Sequence, residues 1–183
     1  MKTIVAVHLA EGFEEIEAVS IIDVLRRANI NTLVVSVTGS KNVTGSHNIQ
    51  IASDVLFEEV DYDDISMIVL PGGLPGANNL KEHAGLGKQI LDFHKTGKPL
   101  GAICAAPLVF GNLGILKGRK ATCFPGFENQ LTGAEVTGAK VETSGKIITG
   151  KGAGVAIQFA LKIVEQLKGK ALAEELAGKM IVS

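Results

Sequence analysis

Apolar residues recur along the chain with two alternating periods, and the first run sets the pattern. Ile4 to Leu9 is short and rich in β-branched residues, which suits a strand covered on both faces of a parallel sheet. From Glu14 to Ala28 the spacing becomes helical, with Ala18, Ile21, Ile22 and Leu25 on one side and Arg26 and Arg27 in the last turn. Leu33 to Val37 reads as the next strand. A segment rich in Gly, Ser and Asn follows, and the alternation Ile49-Gln50-Ile51 predicts a small hairpin excursion. Ile65 to Leu70 is a further buried strand, cut off by Pro71-Gly72-Gly73 and again by Pro75-Gly76, so a loop is predicted there. Leu86 to His94 is helical, Gly97-Lys98-Pro99 ends it, and Leu100 to Ile103 is a short strand running directly into Cys104. The remaining pattern predicts a helix over Pro107 to Leu113, a strand near Lys120 to Cys123, a hairpin of Val141 with Ile147-Ile148 turning at Ser144-Gly145, and helices over Ala153 to Leu167 and Leu172 to Leu176. Strands alternating with helices predict an α/β, doubly wound, mostly parallel sheet with helices on both faces. No repeat or linker divides it, so residues 1–183 read as one domain.

Composition narrows the function classes. Hydrophobic residues make up 46% of the 183 residues, yet no apolar run approaches the roughly 20 residues of a membrane-spanning helix, so no membrane partner is expected. Met1-Lys2-Thr3-Ile4-Val5-Ala6-Val7 leads into the charged Glu11 and Glu14 without a small-residue cleavage site, and no export signal is expected. The two cysteines, Cys104 and Cys123, form no disulfide framework, which points to a reducing, cytoplasmic home. A net charge of -1, one tyrosine and no tryptophan leave little to attract or stack on nucleic acid. Gly145 to Lys151 spells Gly-x-x-x-x-Gly-Lys, but Gly152 stands where a phosphate loop needs Ser or Thr. No metal site and no cofactor are expected, because no His/Cys/Asp/Glu set shows ligand spacing along the sequence.

Ligands of open α/β sheets bind beyond the carboxyl ends of the strands, and three segments fall there: Glu11 to Glu17, Pro71-Gly72-Gly73 and Ala102 to Pro107. Small residues flank Cys104 between a strand and a helix, as a strained nucleophile elbow requires. A helix N-terminus at this point would lower the thiol pKa and favour thiolate at neutral pH. The spacing alone fits equally a small buried hydrophobe. Glu14, Glu15 and Glu17 open the first helix, where solvated capping is the plain role and is expected of Glu14 and Glu15. Glu17, bordered by Phe13 and Ile21, is the one that could turn inward as a protonated carboxyl beside the thiol. The backbone N–H groups of Gly72, Gly73 and Ala105 could hold an oxyanion, although Gly72-Gly73 is also an ordinary tight turn. His8, His47, His83 and His94 all precede Cys104, so a Cys-His-Asp order is unavailable, and His94 is expected on a solvated helix face.

Four segments in register, Glu11-Gly12-Phe13-Glu14-Glu15-Ile16-Glu17, Val69-Leu70-Pro71-Gly72-Gly73, Ala102-Ile103-Cys104-Ala105-Ala106-Pro107 and Gly152-Ala153-Gly154, resemble the ThiJ/PfpI superfamily over essentially the full length, in the branch of the parkinsonism-associated deglycase. The resemblance implies a flavodoxin-like sandwich of the class I glutamine amidotransferase type. It assigns Cys104 as the reactive cysteine, Glu17 as the protonated acid touching it, and Gly73 and Ala105 as oxyanion donors. It further implies a cofactor-independent glyoxalase or deglycase acting on small aldehydes, dicarbonyls or early glycation adducts. The other implied role is an oxidative-stress sensor or chaperone working through a cysteine sulfinate. A cysteine protease would need an activating histidine, and nothing in the residues supports a thiazole site. Members are typically homodimers with the first helix at the interface, which would bring Arg27 and His47 toward the partner's site. One departure stands out: animal members carry a histidine on the strand after the elbow, and this chain has Phe124 there, beside Cys123.

Overall fold

The computed structural model describes residues 3–182; Met1, Lys2 and Ser183, including the start of the N-terminal run read above, lie outside the described residues. Strand β1 (Ile4–Leu9) leads into helix α1 (Glu15–Arg27), β2 (Asn31–Ser36), an antiparallel hairpin of β3 (Asn42–Thr44) with β4 (Gln50–Ala52), and the two-residue β5 (Val55–Leu56). Then come β6 (Met67–Leu70), α2 (Gly76–Glu82), α3 (Ala84–Thr96), β7 (Leu100–Ile103) and α4 (Pro107–Asn112). The chain continues through β8 (Lys120–Ala121), β9 (Glu135–Val136), β10 (Val141–Ser144), β11 (Ile147–Gly150), α5 (Ala156–Lys168) and α6 (Lys170–Lys179). The main sheet has seven strands in the order β10-β11-β7-β6-β1-β2-β5, parallel throughout except for the β10/β11 hairpin. This is the mostly parallel α/β sandwich that the pattern predicts.

Each central strand is buried on both faces because its alternate residues feed two separate clusters. Val5, Val7 and Leu9 of β1 join the cluster that includes Val24 of α1 and Phe159 of α5, while Ala6 and Ala10 join the one that includes Leu80 of α2, Ile90 of α3 and Phe110 of α4. Burying a large apolar side chain contributes about 1.5–3 kcal/mol, so a single polar substitution at Val7 or Ile68 would cost a sizeable share of the total stability. Phe159 is fully buried and sits against the bare backbone of Gly101 and Gly150, where an added Cβ would come within 3.2 and 3.0 Å of its ring. That close seat draws the start of α5 down onto the carboxyl ends of β7 and β11, where the chemistry lies.

Several boundaries differ from the pattern. Helix α2 occupies residues read as loop, since Pro75-Gly76 is a strong turn signal and only Ala77 and Leu80, buried three residues apart, carry a helical cue. Glu14 and Ala28 are caps rather than helical residues. The strand expected up to Cys123 ends at Ala121 and pairs only with β9; beyond it, Thr122 N–H donates to Thr149 Oγ1 at 2.9 Å, a side-chain bond that replaces a ladder. Residues 153–155 form a 3₁₀ turn, so α5 begins at Ala156. The described residues contain no helix long and apolar enough to cross a membrane.

Candidate functional site

Cys104 stands at the end of β7 with φ of 63°, a left-handed conformation that costs a non-glycine residue on the order of 1–3 kcal/mol and persists only where the surroundings impose it. Two neighbours impose it. The Cys104 N–H donates to Gly150 C=O at 2.9 Å and the Cys104 C=O accepts from Phe124 N–H at 2.8 Å. Gly72 closes against the elbow from β6, and a Cβ there would lie 2.7 Å from Cys104 Cβ and 2.9 Å from Glu17 Oε2. Gly73 follows at φ of 91°, a conformation that glycine adopts without penalty.

Glu17 reaches this point from the first turn of α1. It is fully buried, its Oε2 accepts from Gly72 N–H at 2.8 Å, and its Oε1 has no hydrogen-bond partner. Burial pushes its pKa up to about 7, against the opposing pull of the Gly72 N–H and the Cys104 thiol. The thiol in turn is pushed up to about 12, first by burial, then by the Glu17 charge and their mutual hydrogen bond, while the Ala105 and Gly73 N–H groups favour its anion. Neither of those two N–H groups donates to any other acceptor among the described residues. They face the sulfur with nothing else to satisfy them.

Two expectations change here. A thiolate at neutral pH is not what this arrangement favours: α4 is a six-residue helix beginning only at Pro107, and burial beside a carboxylate outweighs its short dipole. Burial raises both groups, against the expectation of a lowered thiol pKa. Gly72 also drops out of the oxyanion donors, because its N–H is committed to Glu17; Gly73 and Ala105 remain.

Glu15 is the third correction. It is not a solvated cap but only 5% exposed, gripping the loop after β3: it accepts from His47 N–H at 2.6 Å, Ile49 N–H at 3.4 Å and Ser46 Oγ at 3.3 Å, and bonds His47 Nδ1 at 2.8 Å. Burial alone would raise its pKa, but the His47 ring and N–H bonds override that and hold it at about 2. The same bond raises the exposed His47. Glu14 does cap α1, its Oε2 accepting from Glu17 N–H at 2.7 Å, which fixes the backbone from which Glu17 points inward. Folding also gathers Glu14, Glu15 and His47 so that their ligand atoms lie within 4.8 Å of one another, a grouping that linear spacing did not reveal. Most of their oxygens are already committed to the loop and the helix start; among the described residues this is the grouping that could offer ligands to a cation.

The other histidines stand apart from the sulfur. His8 is buried with Nε2 2.7 Å from Tyr62 Oη, and burial drives its pKa down to about 3. His83 Nδ1 accepts from Leu86 N–H at the start of α3, and His94 lies in the last turn of α3. Cys123 is buried on the α4 side of the sheet, its thiol raised to about 11, chiefly by burial. Sequence reasoning missed Gly150, whose carbonyl holds the elbow; its only signal was a Gly-Lys-Gly run following a buried strand.

The geometry has close counterparts. The DJ-1/PfpI family description matches residues 3–166. Over 180 residues the chain is 39% identical to Protein DJ-1 homolog B of Arabidopsis thaliana, covering 97% of this chain but 41% of that longer protein. It is 35% identical over 161 residues to the Caenorhabditis elegans protein named glutathione-independent glyoxalase DJR-1.2, covering 87% of this chain and 85% of that one. The solved structure of oxidized Toxoplasma gondii DJ-1 superposes with a TM-score of 0.94 at 37% identity over 98% of both chains. On the family match, the shared fold and these identities together, the chain belongs to the DJ-1/PfpI family.

Proposed function

We propose that this chain is a cysteine-dependent glyoxalase acting on small 2-oxoaldehydes without a cofactor, working as one domain in the cytoplasm. The observation that carries the reading is the strained Cys104 with Glu17 on one side and the unoccupied N–H groups of Gly73 and Ala105 facing its sulfur. A neutral thiol needs a base at the moment of attack, and a carboxyl with a pKa near 7 is well matched to that role. The Cys104 sulfur adds to the aldehyde carbon, its proton passes to Glu17, and the developing oxyanion is held by Gly73 and Ala105. Glu17 returns that proton to the hemithioacetal oxygen, then takes up the former aldehyde C–H proton and delivers it to the neighbouring carbon through an enediolate. Transfer of the O–H proton to the second oxygen leaves the thioester of the hydroxy acid. Water hydrolyses it to the hydroxy acid and restores the thiol. A deglycase acting on early glycation adducts would use the same addition step. The C. elegans relative's name, glutathione-independent glyoxalase, supports the choice.

The test is lactate formation from methylglyoxal with no glutathione or metal added. Turnover by the wild type that is lost in Cys104→Ser is expected; turnover retained by Cys104→Ser would defeat the reading.

A second reading, an oxidative-stress sensor, is favoured by the buried, unpartnered Glu17 Oε1, which could donate a proton to a sulfinate oxygen on Cys104. That the similar Toxoplasma gondii protein has been solved in an oxidized form supports it. A gain of two oxygens confined to Cys104 after peroxide titration is its signature. We further propose a homodimer through the exposed Ile16 and Val19 of α1, next to a groove of about 240 Å³ formed with Ala153–Gln158 and Met180–Val182; a monomeric mass in solution would exclude it.

A further inference from the structure

The elbow has two flanks, and the proposed chemistry uses only one. Strand β7 lies between β6 and β11: β6 runs into Gly72 and Gly73, next to Glu17, whereas β11 runs into Lys151 and Gly152 on the opposite side. On that opposite side is an apolar pocket of about 320 Å³ walled by Phe124, Pro125, Gly152 and Val155. Its two walls are the direct continuations of the chain segments that hold Cys104, since Phe124 N–H bonds the Cys104 carbonyl and the Gly150 carbonyl bonds the Cys104 N–H. The pocket is therefore tied to the nucleophile through the backbone.

Phe124 is a large aromatic side chain left 47% exposed, and it is not loose. Phe127 N–H donates to Phe124 C=O at 3.2 Å, and Gly126 N–H donates to Glu128 Oε2 at 2.7 Å, so the turn carrying the ring is pinned. Gly152 has extended backbone, with φ of 166°, that any residue could adopt, yet a Cβ there would sit 3.3 Å from Phe124 Cδ2; the missing side chain keeps the ring's face open. The one cation on the rim, Lys151, donates to Gly138 C=O at 3.1 Å. An apolar cavity of about 150 Å³ is enough to hold a benzene ring, and an offset or edge-to-face partner is what an open aromatic face attracts.

We propose that this pocket receives the substituent carried by the substrate's carbonyl group, so that Phe124 makes the site selective for aromatic or branched-alkyl 2-oxoaldehydes over methylglyoxal. The inference rests on the glyoxalase reading for the reaction itself, but its geometry can be tested without turnover. Phenacyl bromide and bromoacetone each alkylate a thiol, forming a C–S bond with loss of bromide and the thiol proton, and differ only in a phenyl or a methyl substituent. The rates of Cys104 alkylation by each are followed by intact mass and divided by their rates with free N-acetylcysteine, with Cys104→Ser confirming the site of the adduct. The normalised phenacyl-to-acetonyl ratio is expected to exceed one in the wild type and to fall about fivefold in Phe124→Ala and in Gly152→Val, the first removing the aromatic face and the second filling the space. A ratio that is the same in the wild type and in Gly152→Val would overturn the subsite. Because no catalytic step is involved, failure of methylglyoxal turnover and failure of this selectivity are read separately.

Discussion

Glu15 and Glu17 leave the same first turn of α1 two residues apart, and both are buried, at 5% and 0% exposure, yet their carboxyls are driven in opposite directions. Glu15 is held at about 2 and Glu17 is raised to about 7. Desolvation favours the neutral form of both. The difference lies in the donors: Glu15 meets two backbone N–H groups, a hydroxyl and an imidazole, whereas Glu17 meets one N–H and a thiol. Burial therefore does not decide the charge of a carboxylate; the number of donors waiting at its destination does. One glutamate staples a loop to the helix, and the other is left able to exchange a proton near neutral pH.

The comparison breaks most sharply at Glu17. Glu17→Gln keeps the shape but loses the proton carrier, and kcat for lactate formation is expected to fall about 10²–10⁴-fold; a loss smaller than threefold would remove Glu17 from the reaction. A pH titration of stability comes next. With an ordinary value of 4.5 and a folded value near 7, Glu17 imposes no penalty below about pH 4.5, where both states hold the proton. Between there and pH 7 the unfolded chain releases its proton while the folded chain retains it, so stability falls by about 3 kcal/mol and then levels off. Urea midpoints across that window are expected to slope downward in the wild type and to flatten in Glu17→Gln. Glu15 has the reverse sign: its contribution is present above about pH 4.5 and is lost as the pH falls toward 2, so the two residues titrate in separate windows.

Glu15→Ala is expected to cost about 2 kcal/mol, because the His47 and Ile49 N–H groups lose their bonds to a charged carboxylate, with a lowered urea midpoint as the measure. The smallest effect belongs to His47→Ala. That side chain is exposed, so faster amide exchange confined to residues 45–49 is expected, without a matching change in global unfolding.

Much of this was legible from the sequence. The apolar runs at Ile4–Leu9, Ile65–Leu70 and Leu100–Ile103 located three adjacent central strands, the second of which begins only at Met67, because a strand buried on both faces is apolar along most of its length. The four motifs in register located the elbow. Helix α2 was not legible, since Gly76, Asn78 and Asn79 are poor helix formers and tertiary contacts at Ala77 and Leu80 hold the segment in place. The role of Glu15 was hidden for a different reason. Its partners lie more than thirty residues away in a loop rich in turn residues, and nothing in Glu14-Glu15-Ile16-Glu17 distinguishes a carboxylate that finds donors from one that does not.

The sequence by itself determined the central strands of the sheet and the family, and set Cys104 at a strand-to-helix turn, since these follow from hydrophobic period and local motif, which are properties of neighbours along the chain. Only the tertiary structure decided which N–H groups remain free at the sulfur, how Gly72 is spent on Glu17, and what protonation the two glutamates prefer. It also decided that Phe124 and Gly152 meet, on the two chain segments whose backbone flanks Cys104. These are sums over groups brought together from β6, β7, β11 and α1, and desolvation and hydrogen-bond geometry have no value until those strands and the helix have converged on one point.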